Sequence, residues 1–181
     1  MSLELEQQYP DLSHLPQENR RVNYRVNVKL SQKDIKGDLF NVCNQLVYRY
    51  QGHSPAILTA DQVPNTFHYE SLTGGITNRL FVCRYEACIN HTRYVFAPLL
   101  VRLFGPHTDS VIDRTIELKV AKFISRNNVG PLVLGSFLNG RLEGFLEGAR
   151  SLTPQQLLDK SISCSVAQAV AMLHKLPYQS N

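Results

Sequence analysis

Apolar and polar positions alternate along this chain with two different periods, and the changes of period mark its elements. In "RVNYRVNVKL", Val22, Tyr24, Val26 and Val28 fall on every second position, which predicts a strand. Ile35, Leu39, Val42, Leu46 and Tyr50 then follow at helical spacing behind Ser31 and Asp34, a capping-box-like start, so a helix is expected over 32–50. "QGHSPAILTADQVPN" reads as loop. "TFHYESL" and "NRLFVCRYE" read as strands on either side of a glycine turn. "RYVFAPLLVRLFG" offers a third strand, with Leu99, Val101 and Leu103 on one face and Leu100, Arg102 and Phe104 on the other. Pro98 belongs at its start or edge.

The second half carries the longer period again. Ser110 and Asp113 form a second capping-box-like pair, and Ile112, Ile116, Val120, Phe123 and Ile124 predict the apolar face of a helix that Gly130-Pro131 stops. "LVLGSF" and "GRLEGFL" predict a hairpin around Asn139-Gly140, a favoured type I′ turn dipeptide. Thr153, Pro154 and Gln156 supply a cap, a first-turn proline and a capping-box partner. A helical pattern continues from there through Ile162, Val166, Val170 and Leu173 to Pro177. The order predicts an α+β fold: an antiparallel sheet with an inserted helix, flanked by helices at both ends. The divisions expected are a loose polar leader over 1–20, a strand and helix region over 21–65, a lobe over 66–150 and a helical segment over 151–181.

Composition narrows the classes. With 181 residues, 43% of them hydrophobic and 19% charged, a packed core is expected. The formal charge of +4 is mild, and Arg20, Arg21, Arg25 and Lys29 are not interleaved with aromatics as a nucleic-acid groove would be. Cysteines 43, 83, 88 and 164 lack the two-residue spacing of a zinc or redox motif and read as buried free thiols in a reducing compartment. The opening "MSLELEQQYPDL" lacks the basic-then-apolar order of a signal peptide, and no apolar run approaches the roughly 20 residues that span a bilayer. A cytoplasmic protein is expected.

The chemistry begins at "LTGGITNRLFVC". Glycine removes Cβ and lets an anion approach backbone N–H groups, and Thr77 and Asn78 add side-chain donors. The turn joins two strands and opens no helix, so it is neither a Walker loop nor a dinucleotide fingerprint. By itself a Gly-Gly pair here specifies only a hairpin. Three further features add to it: Arg102 in mid-strand between leucines, Glu117 near a helix start, and the glycine-containing "RLEGFLEGARSL".

These stretches, "GGITNRLF", "LLVRLFG", "DRTIELKVAKF" running to "GP", and "GRLEGFLEG", resemble the choline/ethanolamine kinases, the ethanolamine branch more than the choline branch. The resemblance covers residues 66–176. It implies a protein-kinase-like N-terminal lobe, ATP and Mg as cofactors, and ethanolamine as the phosphate acceptor. It implies a phosphate-covering loop of Gly74, Gly75, Ile76, Thr77, Asn78 and Arg79. It makes Arg102 the phosphate contact, with Glu117 as its helix partner, and it places Gly144, Phe145, Leu146, Glu147, Gly148, Ala149 and Arg150 along the adenine and ribose edge.

The family also uses an H-N-D-x-x-x-x-N loop and a later metal-binding Asp. The chain's 6 histidines precede Leu15, Ser54, Tyr69, Thr92, Thr108 and Lys175, so none begins H-N-D, and Ile112-Asp113 continues as Arg114-Thr115. The expectation is a nucleotide half without catalytic base or metal ligands, inactive alone. It exposes a face that would pack on a second lobe and favours self-association. Two alternatives stand beside a truncated ethanolamine kinase: a short isoform regulating a full-length kinase, and a small nucleotide- or RNA-binding module. A choline kinase fragment remains open, because the residues sorting the two alcohols lie mainly in the other lobe.

Overall fold

The pleat of one strand organises the architecture. Leu99 to Phe104 alternates between buried and half-buried positions, as its sequence predicts, and it is the middle strand of a five-stranded sheet. The computed structural model describes residues 21–27, 32–47, 63–72, 78–89, 92–106 and 108–177. In chain order the elements are α1 (Gln32–Leu46), β1 (His68–Leu72), β2 (Asn78–Arg84), β3 (Glu86–Ile89), β4 (Thr92–Val95), β5 (Leu99–Phe104), α2 (Arg114–Arg126), β6 (Val133–Phe137), β7 (Gly140–Gly144), α3 (Pro154–Leu157) and α4 (Lys160–His174). The large sheet runs β1-β2-β5-β7-β6 with antiparallel neighbours throughout, and β3 and β4 form a separate ladder. Pro98 stands at the start of β5, as expected; the residues before it in "RYVFAPLLVRLFG" form a separate strand, 92–95, that pairs back on 86–89. Proline has no N–H for a ladder, so it separates the two.

One face of the sheet is apolar and carries α1. Ile35, Leu39, Val42, Cys43 and Leu46 of the helix join Phe81, Cys83, Leu99, Val101, Leu103 and Leu142 of the sheet in one buried cluster. Their spacing of three and four residues on α1 meets the two-residue period of the strands, as the sequence predicts; Ser31 and Tyr50 lie outside the described residues. Phe40 sets its ring edge-on to Phe67 and Tyr85, with centroids 5.1 and 5.5 Å away. Tyr85 in turn stacks on Phe96 at 5.3 Å.

The alternation over 21–27 is realised, but the expected strand is reduced to an isolated bridge of Arg21 to Ser136, and Val28 lies outside the described residues. Val26 is buried, while Arg21, Asn23, Arg25 and Asn27 are exposed. The segment lies parallel to β6: Val22 N donates to Ser136 O at 3.0 Å, and Leu138 N donates to Tyr24 O at 2.9 Å. The Asn139 side chain holds it like a further strand, accepting from Val26 N at 3.0 Å and donating to Val26 O at 2.9 Å. The Tyr24 hydroxyl donates to Asp38 of α1 at 2.6 Å. Burial first, and that hydrogen bond second, push the Tyr24 pKa up to about 12.

The β6–β7 connection corrects the sequence expectation of a type I′ turn at Asn139-Gly140. Phe137 pairs with Gly140, so the turn residues are Leu138 and Asn139. Neither has the positive φ that a type I′ turn demands; among non-glycine residues described, only Asn128 does. Gly140 is required for another reason. A Cβ there would stand 2.3 Å from the Arg102 carbonyl oxygen and 2.4 Å from the Phe137 ring.

Two helices also differ from their patterns. Asp113, not Ser110, caps α2, accepting from Thr115 N and Ile116 N. Its most buried residues are Ala121 and Ser125, and Ile116 is 55% exposed. The stripe turned to the sheet is Glu117, Ala121 and Ser125, four residues apart, and the Ser125 hydroxyl accepts from Val133 N at 3.0 Å. After the segment 145–152, the Thr153–Gln156 capping box forms as expected. The single helix expected beyond it is interrupted, because Asp159 accepts from Ser161 N and Ile162 N and starts α4 afresh. Neither α3 nor α4 has a buried residue.

Candidate functional site

The sheet's second face is charged. Residues directly opposite each other on antiparallel strands point the same way. Leu80 faces Arg102, Arg102 faces Arg141, and Leu100 faces Glu143, so Arg102, Arg141 and Glu143 share the face turned away from α1. Glu143 has a side chain only 1% exposed. A carboxylate so placed is tolerable only when paired and hydrogen-bonded. It receives Arg102 Nε and Nη2, both at 3.1 Å, one on each oxygen, and Arg141 Nε at 2.5 Å. Burial pushes the Glu143 carboxyl up, but the Arg102 hydrogen bonds and the Arg141 charge outweigh it and hold the group below the usual carboxylate range.

The chain of charges extends onto α2. Arg141 Nη1 donates to Glu117 Oε1 at 2.9 Å, and Arg114 Nη1 donates to Glu117 Oε2 at 2.5 Å. Arg114 also donates to the Thr108 hydroxyl and covers the Phe104 ring at 4.1 Å. This corrects the expected Arg102–Glu117 pair: the carboxylate on Arg102 is Glu143, and Glu117 meets Arg141 instead. The physical reason is register. Arg141 lies beside Arg102 on the neighbouring strand, on the α2 side, and reaches the helix first. Glu143 thus bridges Arg102 and Arg141, and Glu117 bridges Arg141 and Arg114. The Arg102 side chain keeps 22% of its surface exposed, with Nη1 outside its fork on Glu143.

The other predicted site residues flank this centre. Gly74, Gly75, Ile76 and Thr77 lie outside the described residues. Asn78 and Arg79 open β2; Asn78 stands opposite Phe104, two strand positions from the Arg102 register, and the Arg79 guanidinium lies over Phe81 at 5.3 Å. At the far end of β5, Gly144 faces Leu99 and donates its N–H to Leu132 O at 2.8 Å. Phe145 N donates to Pro98 O at 3.1 Å, so the strand end is pinned where it leaves the sheet. Leu146 is exposed, and Ala149 N closes a turn on Leu146 O at 3.3 Å. Gly148 takes φ +75°, a left-handed conformation that favours glycine. Glu147 is tied to the end of β2 by Arg84, at 3.2 Å, and Arg84 also holds Glu70 of β1 at 2.8 Å. Arg150 is exposed.

Glu143 and Arg141 had no role in the sequence reading. The signal available was two charges at i and i+2 in an otherwise apolar hairpin strand, which places both on one face.

Antiparallel sheet, helix inserted between its third and fourth strands, and cation at mid-strand define a kinase-like small lobe. Residues 69–181 match the family described as Choline/ethanolamine kinase. An ethanolamine kinase of Saccharomyces cerevisiae is 32% identical over 154 residues, 84% of this chain and 27% of the relative. A choline kinase of the same yeast is 29% identical over 153 residues, again 84% of this chain and 24% of the relative. Among solved structures, an ethanolamine kinase of Plasmodium vivax superposes with TM-score 0.56 at 22% identity, covering 86% of this chain and 37% of that one. A choline kinase of Cryptosporidium parvum gives 0.55 at 23% identity, covering 79% of this chain and 37% of that one. The chain belongs to the choline/ethanolamine kinase family, and it spans about a quarter of the length of these yeast relatives. Among the described residues, no helix is long and apolar enough to cross a membrane.

Proposed function

We propose that this chain is the nucleotide-holding part of an ethanolamine kinase, binding the phosphates of ATP through Arg102. The observation that carries the reading is the exposed edge of Arg102, held at mid-strand on the charged face, between the strand that follows the glycine turn and the segment 144–150. Arg102 lies three residues from Leu99, which faces the hinge. At about 3.3 Å per residue the two are roughly 10 Å apart. That reach suits a nucleotide whose base lies along residues 144–150 and whose phosphates lie under residues 74–79.

Each group has a separate task. Arg102 neutralises phosphate charge where phosphoryl transfer spreads it. Asn78 and the backbone of the glycine turn add donors. Gly144 and Phe145 fix the hinge backbone, and Glu147 is held beside it by Arg84. Mg²⁺ supplies charge neutralisation on the phosphates. Among the described residues, no group of three or more His, Cys, Asp or Glu could hold a metal ion, so the ion would arrive with the nucleotide or take ligands from elsewhere. Turnover on this reading needs a base and an amino-alcohol pocket that no residue described here supplies.

Ethanolamine is preferred on the resemblance of "GGITN" to the ethanolamine branch; identity does not sort the alcohols, since ethanolamine and choline kinases alike reach 32%. The exposed apolar positions Leu157, Leu158, Val166, Val170 and Leu173 on α3–α4 favour docking against further kinase structure, whether a second lobe, a full-length kinase or another copy.

Calorimetric titration with Mg-ATP tests the reading. Weak binding that Arg102→Ala abolishes is the expected result. Equal binding by wild type and variant would contradict the assignment of Arg102.

A further inference from the structure

We infer that Glu143 is the positioning residue for Arg102, and that it aims the guanidinium at the nucleotide phosphates. The inference rests on the ATP-binding reading and goes beyond it, because that reading gave Glu143 no task.

The geometry supports a holder and not a mere neutraliser. Both Glu143 oxygens are engaged by Arg102, one by Nε and one by Nη2, in a parallel fork. A fork of this kind fixes the plane of the guanidinium as well as its place. It consumes the inner edge of the group and leaves Nη1 pointing out of the fork. Glu143 is itself fixed from the side by Arg141, and Arg141 is anchored to Glu117 on α2. The holder is therefore braced by a second element, and the side chain it holds is the more exposed of the two, 22% against 1%. Glu117, which the family resemblance implies as the partner, acts at one remove through Arg141.

Chemistry also sets the sign of the effect. Removing the carboxylate would leave Arg102 and Arg141 facing each other as like charges on adjacent strands. Arg102 would swing away and phosphate affinity would fall, although a negative charge had been removed. A carboxylate that only masked Arg102 gives the opposite sign.

Calorimetry of the 181-residue chain with ATP and with adenosine separates these roles, because the ratio of the two affinities isolates the phosphates. Glu143→Gln should lower that ratio by about tenfold, the loss expected for a hydrogen bond to a charged group, while adenosine affinity is kept. Arg102→Lys keeps the charge but cannot form the fork, and should lower the ratio by a similar factor. The double variant should lose little more than either single one. An unchanged or increased ratio in Glu143→Gln, beside a ratio lowered by Arg102→Ala, would overturn the positioning role and leave ATP binding by Arg102 intact. A wild-type chain that binds ATP no better than adenosine would remove the ATP-binding reading, and this inference with it. Should Glu143→Gln fail to fold, Arg102→Lys decides alone: a ratio equal to wild type overturns the proposal.

Discussion

The two faces of the central sheet are built from the same strands and are opposite in kind. On one face Leu99, Val101, Leu103 and Leu142 are fully buried beneath α1. On the other, Arg102, Arg141 and Glu143 occupy the intervening positions and meet Glu117 of α2. The pleat alone separates them, since neighbouring residues in a strand point to opposite faces. Their energetics differ in a way that bears on function. Burying a leucine side chain is worth roughly 1.5–3 kcal/mol. A buried ion pair often stabilises no more than well-packed apolar side chains of similar volume, because desolvation offsets the Coulombic gain. A fold that needed only stability could make both faces apolar. The apolar face holds the lobe together, and on the function proposed above the charged face serves nucleotide binding.

The largest expected effect breaks the charged face from within. Glu143→Ala leaves Arg102 without its carboxylate and Arg141 with Glu117 alone, and should cost about 3–5 kcal/mol in a urea melt. Leu103→Ala tests the other face and should cost about 2–5 kcal/mol, with the ratio of ATP to adenosine affinity unchanged in whatever fraction stays folded. Gly140→Ala strikes the point where the β6–β7 turn meets Arg102's backbone. The added methyl collides with a main-chain oxygen, so a loss of about 1–3 kcal/mol is expected, together with displacement of Arg102.

The smallest effect is a pH dependence. The folded state holds Glu143 below its ordinary range, so its contribution is fully present above the unfolded value of about 4.3 and is lost as pH falls through the lower folded value. Stability of the wild type should therefore drop on acidification below about pH 4.3, and part of that drop should be missing in Glu143→Gln. Equal acid sensitivity of the two proteins would show that the network does not contribute there.

How much of this was legible depends on the range of the interaction. Periods within one element came through: the alternation of Leu99 to Phe104, the helix under Ile35 to Leu46, and the Thr153–Gln156 cap all rest on residues close in sequence. Cross-strand partners did not. Arg102 and Glu143 are 41 residues apart, and only the register of β5 on β7 brings them together. The orientation of α2 misled for a related reason. Its apolar spacing points to Ile112 and Ile116, but Arg141 draws Glu117 inward, and Ala121 and Ser125 follow it onto the sheet. Short signals were also lost in longer ones, as with the β3–β4 ladder hidden in apolar sequence and the Asp159 cap hidden in a helical run. The family resemblance singled out Arg102, which the structure sets at mid-strand on the charged face. It pointed to Glu117 for a pairing that Glu143 makes.

One measurement addresses the contrast between the faces most directly. The triple variant Arg102→Met, Arg141→Met, Glu143→Leu replaces the charged network by apolar side chains of similar size and leaves Glu117 paired with Arg114. Its urea stability and its affinities for ATP and adenosine would be taken on the same preparation. The account predicts a lobe at least as stable as wild type, within about 1 kcal/mol or better, that no longer prefers ATP over adenosine. A variant that keeps the preference, or one that unfolds, would contradict the claim that this face exists to bind phosphate.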